Sequence, residues 1–152
     1  MPAQKYYNIM LKFLELSKNR HGFSKITDTC RLVSAAEGKC SVEFEVDERM
    51  SNMFGTLHGG VSASMVDIFT TGALVATPKG APGVSVDLHM TYLASAKVGE
   101  TVVLDAEVIR AGKSLAFTKA DLKLKHTGKL VATGLHTKAF AQHAVAKDDA
   151  KQ

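Results

Sequence analysis

Only two cysteines, Cys30 and Cys40, occur in the 152 residues. That is too few for a disulfide framework, and a hairpin turning near Glu37 would not set them opposite each other. Free thiols in a reducing compartment are expected. No hydrophobic run reaches membrane-spanning length, and the N-terminus lacks the apolar core and cleavage site of a signal peptide. Lys and Arg never cluster beyond two neighbours, and neither zinc spacing nor a helix-turn-helix pattern is present, which argues against a nucleic-acid partner. The six histidines show no paired ligand spacing, and His136 and His143, seven apart, do not change that, so no metal is expected. The expectation is a soluble protein with no stable membrane anchor. Its expected location is the cytoplasm. The mitochondrion is the second address, weakened by Glu15 in an N-terminal segment of modest basic character.

What is present is an ordinary globular composition, 45% hydrophobic and 22% charged, at a length that supports one core. The net charge of +4 is spread along the chain, and a small, highly phosphorylated metabolite would suit such scattered basic groups just as well as a larger polyanion.

Residues 4–18 have helical periodicity, with Ile9, Phe13 and Leu16 on one stripe and Tyr6, Met10 and Leu14 beside it. Segments 29–35 and 39–46 read as two strands around Glu37-Gly38. In the second, Val42, Phe44 and Val46 alternate with polar residues. A loop at 77–83 precedes the cleanest period of two, in which Val84, Val86, Leu88 and Met90 take one face and Ser85, Asp87, His89 and Thr91 the other. Segments 101–110, 114–125 and 129–139 complete a meander joined by tight turns. The expected class is α+β: an antiparallel sheet wrapped around one long central helix, with an extra N-terminal helix. Residues 1–24 form that helix and a linker, 25–141 the domain, and 142–152 a disordered tail.

The central helix belongs to the stretch from Asn52 to Leu74. Between Gly59 and Pro78 its only ionisable side chain is Asp67, and an unpaired buried charge is costly. At the helix start, Gly59 and Gly60 leave amides open to close approach, where partial positive charge binds an anion or a developing oxyanion. The same glycines would serve a tight turn or close packing alone. Asp67 shares a small, polar stripe with Ala63, Ser64, Thr70 and Thr71, opposite Val61, Met65, Ile68 and Gly72. Desolvation on that stripe would suit a base, whereas a structural aspartate bonded to a strand is the plainer reading. No nucleophile elbow accompanies His58, so capping, loop anchoring or contact with a substrate fits it better than general-base chemistry.

The run Asn52…Gly55-Thr56-Leu57-His58-Gly59-Gly60…Asp67, with Gly80-Ala81-Pro82-Gly83-Val84-Ser85-Val86-Asp87 and Arg110-Ala111-Gly112-Lys113-Ser114-Leu115-Ala116-Phe117-Thr118, resembles the hotdog-fold acyl-CoA thioesterases. The resemblance covers about residues 25–138. It implies a hotdog fold, edge-to-edge sheet pairing, a homotetramer built as a dimer of dimers, and active sites between subunits that need no cofactor. It also implies an acyl-CoA substrate, with medium- or long-chain fatty acyl groups favoured and aryl-CoA the alternative within the class. Asp67 would activate water or attack the thioester, the Gly59 amide and Asn52 would polarise the carbonyl, His58 would contact the thioester and Ser85 would position water or Asp67. Gly60, Tyr92, Leu93, Ala94, Ser95, Ala96 and Lys97 would contact substrate, as would Arg110, Ala111, Gly112, Lys113, Ser114, Leu115 and Lys138. Lys97, Arg110, Lys113 and Lys138 are the expected phosphate partners. The chain departs from relatives after the strand tyrosine, where Pro is often found and this chain has Tyr92-Leu93-Ala94-Ser95-Ala96-Lys97, and at His89 and Ile68, where Asn is common. A non-catalytic acyl-CoA binder or adaptor on the same scaffold is the rival. Gly59 and Asp67 lie more than a helical turn apart, so one site would have to draw on two chains.

Overall fold

A computed structural model describes residues 2–19 and 21–140; the tail expected from residue 142 lies outside the described residues. The elements run α1 (Pro2–Asn19), β1 (Arg31–Ala36), β2 (Lys39–Glu45), α2 (Gly59–Val75), β3 (Val84–Tyr92), β4 (Thr101–Ala111), β5 (Leu115–Leu124) and β6 (Leu130–Ala139). Short 3-10 turns occupy Phe23–Thr27 and Glu48–Met50. The six strands form one antiparallel sheet in the order β1-β2-β4-β5-β6-β3. The sheet and its central helix match the expected architecture. At the β1–β2 hairpin Gly38 has φ 66, which glycine adopts without steric cost, and Ala36 pairs with Lys39 across a two-residue turn.

Helix α2 lies across the inner face of the sheet. Met65, Val66, Phe69 and Ala73 are fully buried against Val42, Phe44, Leu104, Ala120, Leu122 and Ala132 and their neighbours. Each large side chain so buried stabilises the fold by roughly 1.5–3 kcal/mol. Small residues on β4, β5 and β6 let the helix approach. At Gly134 a Cβ would lie 2.7 Å from both Val66 Cγ1 and Met90 Sδ.

Two sequence expectations change. On α1 the buried stripe is Tyr6, Met10 and Leu14, whereas Ile9 and Phe13 are half-buried and Leu16 is 51% exposed. The helix is rotated because it packs over β1 and the flank of α2, where Gly72 has no Cβ to meet Met10 Cε, at 2.8 Å, or the Phe13 ring, at 3.0 Å. On β3 the period of two is broken by a bulge between Ser85 and Asp87. Ser85 pairs with Lys138 and Leu88 with His136, so Ser85 joins Leu88 and Met90 on the helix side. The polar face expected for it keeps Asp87, His89 and Thr91.

Cys30 and Cys40 are free and buried, and Cys40 pairs with Ala35. Burial pushes each thiol up to about 12. A chromogenic thiol reagent at neutral pH is therefore expected to leave both unmodified in the folded protein and to modify both in denaturant, as read by absorbance.

Candidate active site

The loop before α2 is held by its own polar groups. Asn52 Oδ1 accepts from the Phe54 N–H at 2.9 Å and the Thr56 N–H at 3.3 Å, and Asn52 Nδ2 donates to Thr56 Oγ1 at 3.0 Å. Asn52 is thus first a loop-shaping residue, with one Nδ2 hydrogen left over. His58 caps α2: its Nδ1 accepts from the Gly60 N–H at 2.9 Å, which leaves Nε2 to carry the proton of the neutral ring. Gly60 is therefore corrected as an amide donor, because its N–H is already occupied. Its missing Cβ makes room for the imidazole, 3.1 Å from Nδ1. The Gly59 N–H, first in the helix, has no intrahelical acceptor and no other acceptor among the described residues. The Tyr92 ring packs where a Gly59 side chain would begin, at 3.2 Å, and its hydroxyl donates to Gly59 O at 3.0 Å.

Two turns along α2, Asp67 meets β3 and β6. Ser85 Oγ lies 3.3 Å from Asp67 Oδ1 and 2.9 Å from His136 Nε2, and His136 Nε2 is itself 3.5 Å from Asp67 Oδ1. Both contacts fall on Oδ1, and Oδ2 has no hydrogen-bond partner among the described residues. The Asp67 side chain remains 47% exposed, so this chain alone does not supply the desolvation expected for it. The other ring nitrogen, His136 Nδ1, is 2.7 Å from Thr70 Oγ1, which donates to Val66 O at 2.7 Å. Thr70 thus receives the Nδ1 proton, and neutral His136 presents a bare Nε2 to Ser85 and Asp67. Thr70 faces the sheet, not the open stripe assigned to it.

His136 carries no sequence motif. In the sequence it is one polar residue in a strand, and it becomes legible only once β6 is paired with β3. It is 1% exposed. Burial, with Lys138 nearby, holds its pKa below the ordinary histidine value, against the pull of Asp67 and Asp87. The unfolded chain therefore takes up this proton first, and the stability contributed is lost as pH falls through about 6.5 toward the lower folded value. Thermal unfolding followed by circular dichroism should show the melting temperature dropping over that window, with a flatter profile in His136→Gln.

Lys138 is 4% exposed and donates to Thr71 Oγ1 at 2.7 Å. Burial lowers its pKa and Asp67 opposes that shift. It supports the Asp67 cluster from within, and so is corrected as a phosphate partner. Ala96 is likewise corrected: it is fully buried, and its carbonyl accepts from the Leu57 N–H at 2.7 Å. Leu93, Ser95 and Lys97 are exposed beside it, and Ala94 is half-buried. The hairpin Arg110, Ala111, Gly112, Lys113, Ser114 and Leu115 is exposed at the opposite end of the sheet, where Lys79 Nζ donates to Gly112 O and Lys113 O.

The chain thus separates its predicted site into two ends. Asn52, His58, Gly59 and the 92–97 stretch share one, while Asp67, Ser85, His136 and the 110–115 hairpin share the other. Eight residues of helix hold Gly59 about 12 Å from Asp67. Tyr92 pairs with Ala132, which pairs with Leu122, so the substrate stretches lie about 24 Å apart along β5.

An antiparallel sheet wrapped round one helix, with a carboxylate midway along it and glycines at its start, defines the thioesterase hotdog class. The Thioesterase superfamily model matches residues 54–131. The chain belongs to that superfamily and is a thioester hydrolase. It is 52% identical over 116 residues to acyl-coenzyme A thioesterase 13 of Homo sapiens, covering 76% of this chain and 83% of the relative. The crystal structure of zebra fish thioesterase superfamily member 2 superposes with a TM-score of 0.84 at 41% identity, covering 86% of this chain and 94% of that one. The Mus musculus structure gives 0.80 at 44%, covering 87% and 97%.

Proposed function

We propose that this protein hydrolyses fatty acyl-CoA, with medium- and long-chain acyl groups preferred, to a free fatty acid and CoA. The observation that carries the reading is the Asp67 cluster: a half-exposed carboxylate with one free oxygen, backed by Ser85 and a neutral His136. Asp67 takes a proton from water as that water adds to the thioester carbonyl, or adds to the carbonyl itself to form an anhydride that water then cleaves. The carbonyl oxygen is held by the Gly59 N–H and Asn52, and His58 presents its Nε2–H to the thioester. The C–S bond breaks, and the departing thiolate takes up the proton that Asp67 removed from water or, in the anhydride route, one from solvent. No metal or cofactor enters, and the free thiols fit a cytoplasmic location.

Completing the site requires a second chain. Strand β3 is an edge strand running from Ser85, beside Asp67, to Tyr92, beside Gly59. It exposes Val84, Val86, Leu88 and Tyr92, the kind of edge that another strand covers. Antiparallel pairing of β3 with its own copy, about a two-fold axis near Leu88, sets Ser85 opposite Tyr92 of the partner subunit. Asp67 then faces Gly59 of the partner subunit, and the 110–115 hairpin approaches the partner's 92–97 stretch. Exposed Lys97, Arg110 and Lys113 are left for CoA phosphates. Two such dimers make the proposed tetramer.

A panel of acyl-CoAs of graded length, with thiol release followed by absorbance, tests the activity. Release that rises with chain length supports the reading. Binding without release from any member would make the protein an acyl-CoA binder instead.

A further inference from the structure

Asp67 forms one wall of a cleft of about 430 Å³ between α1 and α2, a volume within the range of small-molecule sites. Phe13, Leu16 and Ser17 of α1 line it, with Ser24, Ile68, Thr71 and Pro82. The hydroxyls in this wall are largely engaged within the protein. Ser17 Oγ donates to Phe13 O at 3.0 Å; Thr71 Oγ1 donates to Asp67 O at 2.7 Å and accepts from Lys138 Nζ at 2.7 Å. What the cleft offers a ligand is apolar surface ending at one reactive carboxylate. The Phe13 ring is braced from behind by Gly72, and Leu16, more than half exposed, lines the cleft at its mouth.

We propose that this cleft receives the acyl chain of the substrate, and that Phe13, Leu16 and Ile68 set the preferred chain length. The inference rests on the thioesterase reading given above and adds the direction in which the acyl group runs. A thioester carbon held beside Asp67 has the polar CoA arm on the side of the partner subunit's loop. The acyl carbons leave on the other side, toward α1. A helix outside the sheet-and-helix unit thereby becomes the specificity wall. Ile68, the residue after the acid, contributes a branched apolar side chain to the floor.

The test uses the full-length protein and ketone analogues of acyl-CoA, with a methylene between sulfur and carbonyl, from butyryl to palmitoyl length. Each methylene buried in the cleft should tighten binding by about fourfold until the cleft is full. Leu16→Trp fills the mouth from an exposed position, and Leu16→Ala opens it. In Leu16→Trp the gain per methylene should vanish for the longer analogues while the butyryl analogue binds as in the wild type. Leu16→Ala should weaken the longer analogues only, leaving the butyryl analogue unaffected. An unchanged length dependence in both variants, or an equal loss at every length, would overturn the proposal. Turnover of the matching thioesters by the wild-type protein is read separately. Its absence, with the length dependence intact, would remove the hydrolase reading and leave the acyl cleft standing.

Discussion

Asp67→Asn is expected to lower kcat by about 10²- to 10⁴-fold, the range for removing a positioned general base, with KM close to wild type. The substitution is nearly isosteric. The carboxamide can set either its oxygen toward Ser85 or its N–H toward the bare His136 Nε2 at the Oδ1 position, so the fold should be retained. What is lost is the acceptor for water's proton, or the nucleophile, and both act on the barrier rather than on ground-state binding. The two roles are probed by a single turnover run in oxygen-18 water. Label in the Asp67 carboxylate marks an anhydride cleaved at the Asp67 carbonyl, and label confined to the fatty acid rules that route out, leaving direct attack by water or an anhydride cleaved at the acyl carbon. A variant that keeps wild-type kcat would remove Asp67 from the chemistry altogether.

The supports behind Asp67 should matter less than Asp67 itself. Ser85 has one hydrogen and two acceptors within reach, His136 Nε2 and Asp67 Oδ1. As the carboxylate takes up a proton, that hydrogen can turn wholly toward the imidazole. His136 is thereby a positioning residue, buried and neutral, and acts through Ser85. Its neutrality follows from burial beside Lys138 together with the Thr70 contact that holds the Nδ1 proton.

The parts legible in the sequence were those carried by local periodicity. The alternation in β2 and the turn glycines placed the strands to within a residue or two, and the lone Asp67 in an apolar helix pointed to the carboxylate on which the proposed chemistry rests. Three features were hidden for physical reasons. The bulge at Ser85 adds one residue to a strand whose sequence still alternates, so the face of every side chain before it inverts without a local sign. The stripe that α1 buries depends on where Gly72 lets it dock, a property of α2 and not of α1. His136 and Lys138 lie about 70 residues beyond Asp67 in sequence, and only antiparallel pairing of β6 with β3 brings them under it. Gly60 shows the opposite case. Its amide looked available by position, but the preceding side chain folds back and occupies it.

If the site is divided between subunits as proposed, a second large effect is expected on mixing two inactive proteins. Asn52→Ala removes a carbonyl donor and loosens the 52–57 loop, and should cost about 10²- to 10³-fold in kcat. Asp67→Asn is disabled at the other end. In a mixed dimer of the two variants, the altered acid faces the altered loop at one site, and the unaltered acid faces the unaltered loop at the other. Half of randomly reassorted dimers are mixed and each keeps one of two sites, so activity should rise to about one quarter of the wild-type value in a symmetric pairing. The measurement is thiol release before and after subunit exchange of an equimolar mixture, with each variant exchanged against itself as the control. The recovery does not depend on whether Asn52→Ala fails through its lost donor or its lost loop, since either defect stays with the chain that carries it. If acid and donors belonged to the same chain, mixing would leave every site defective and activity would stay at the mean of the parents. Recovery would show that the 12 Å between Gly59 and Asp67, estimated from the helical rise, is spanned by pairing two chains and not by bending one.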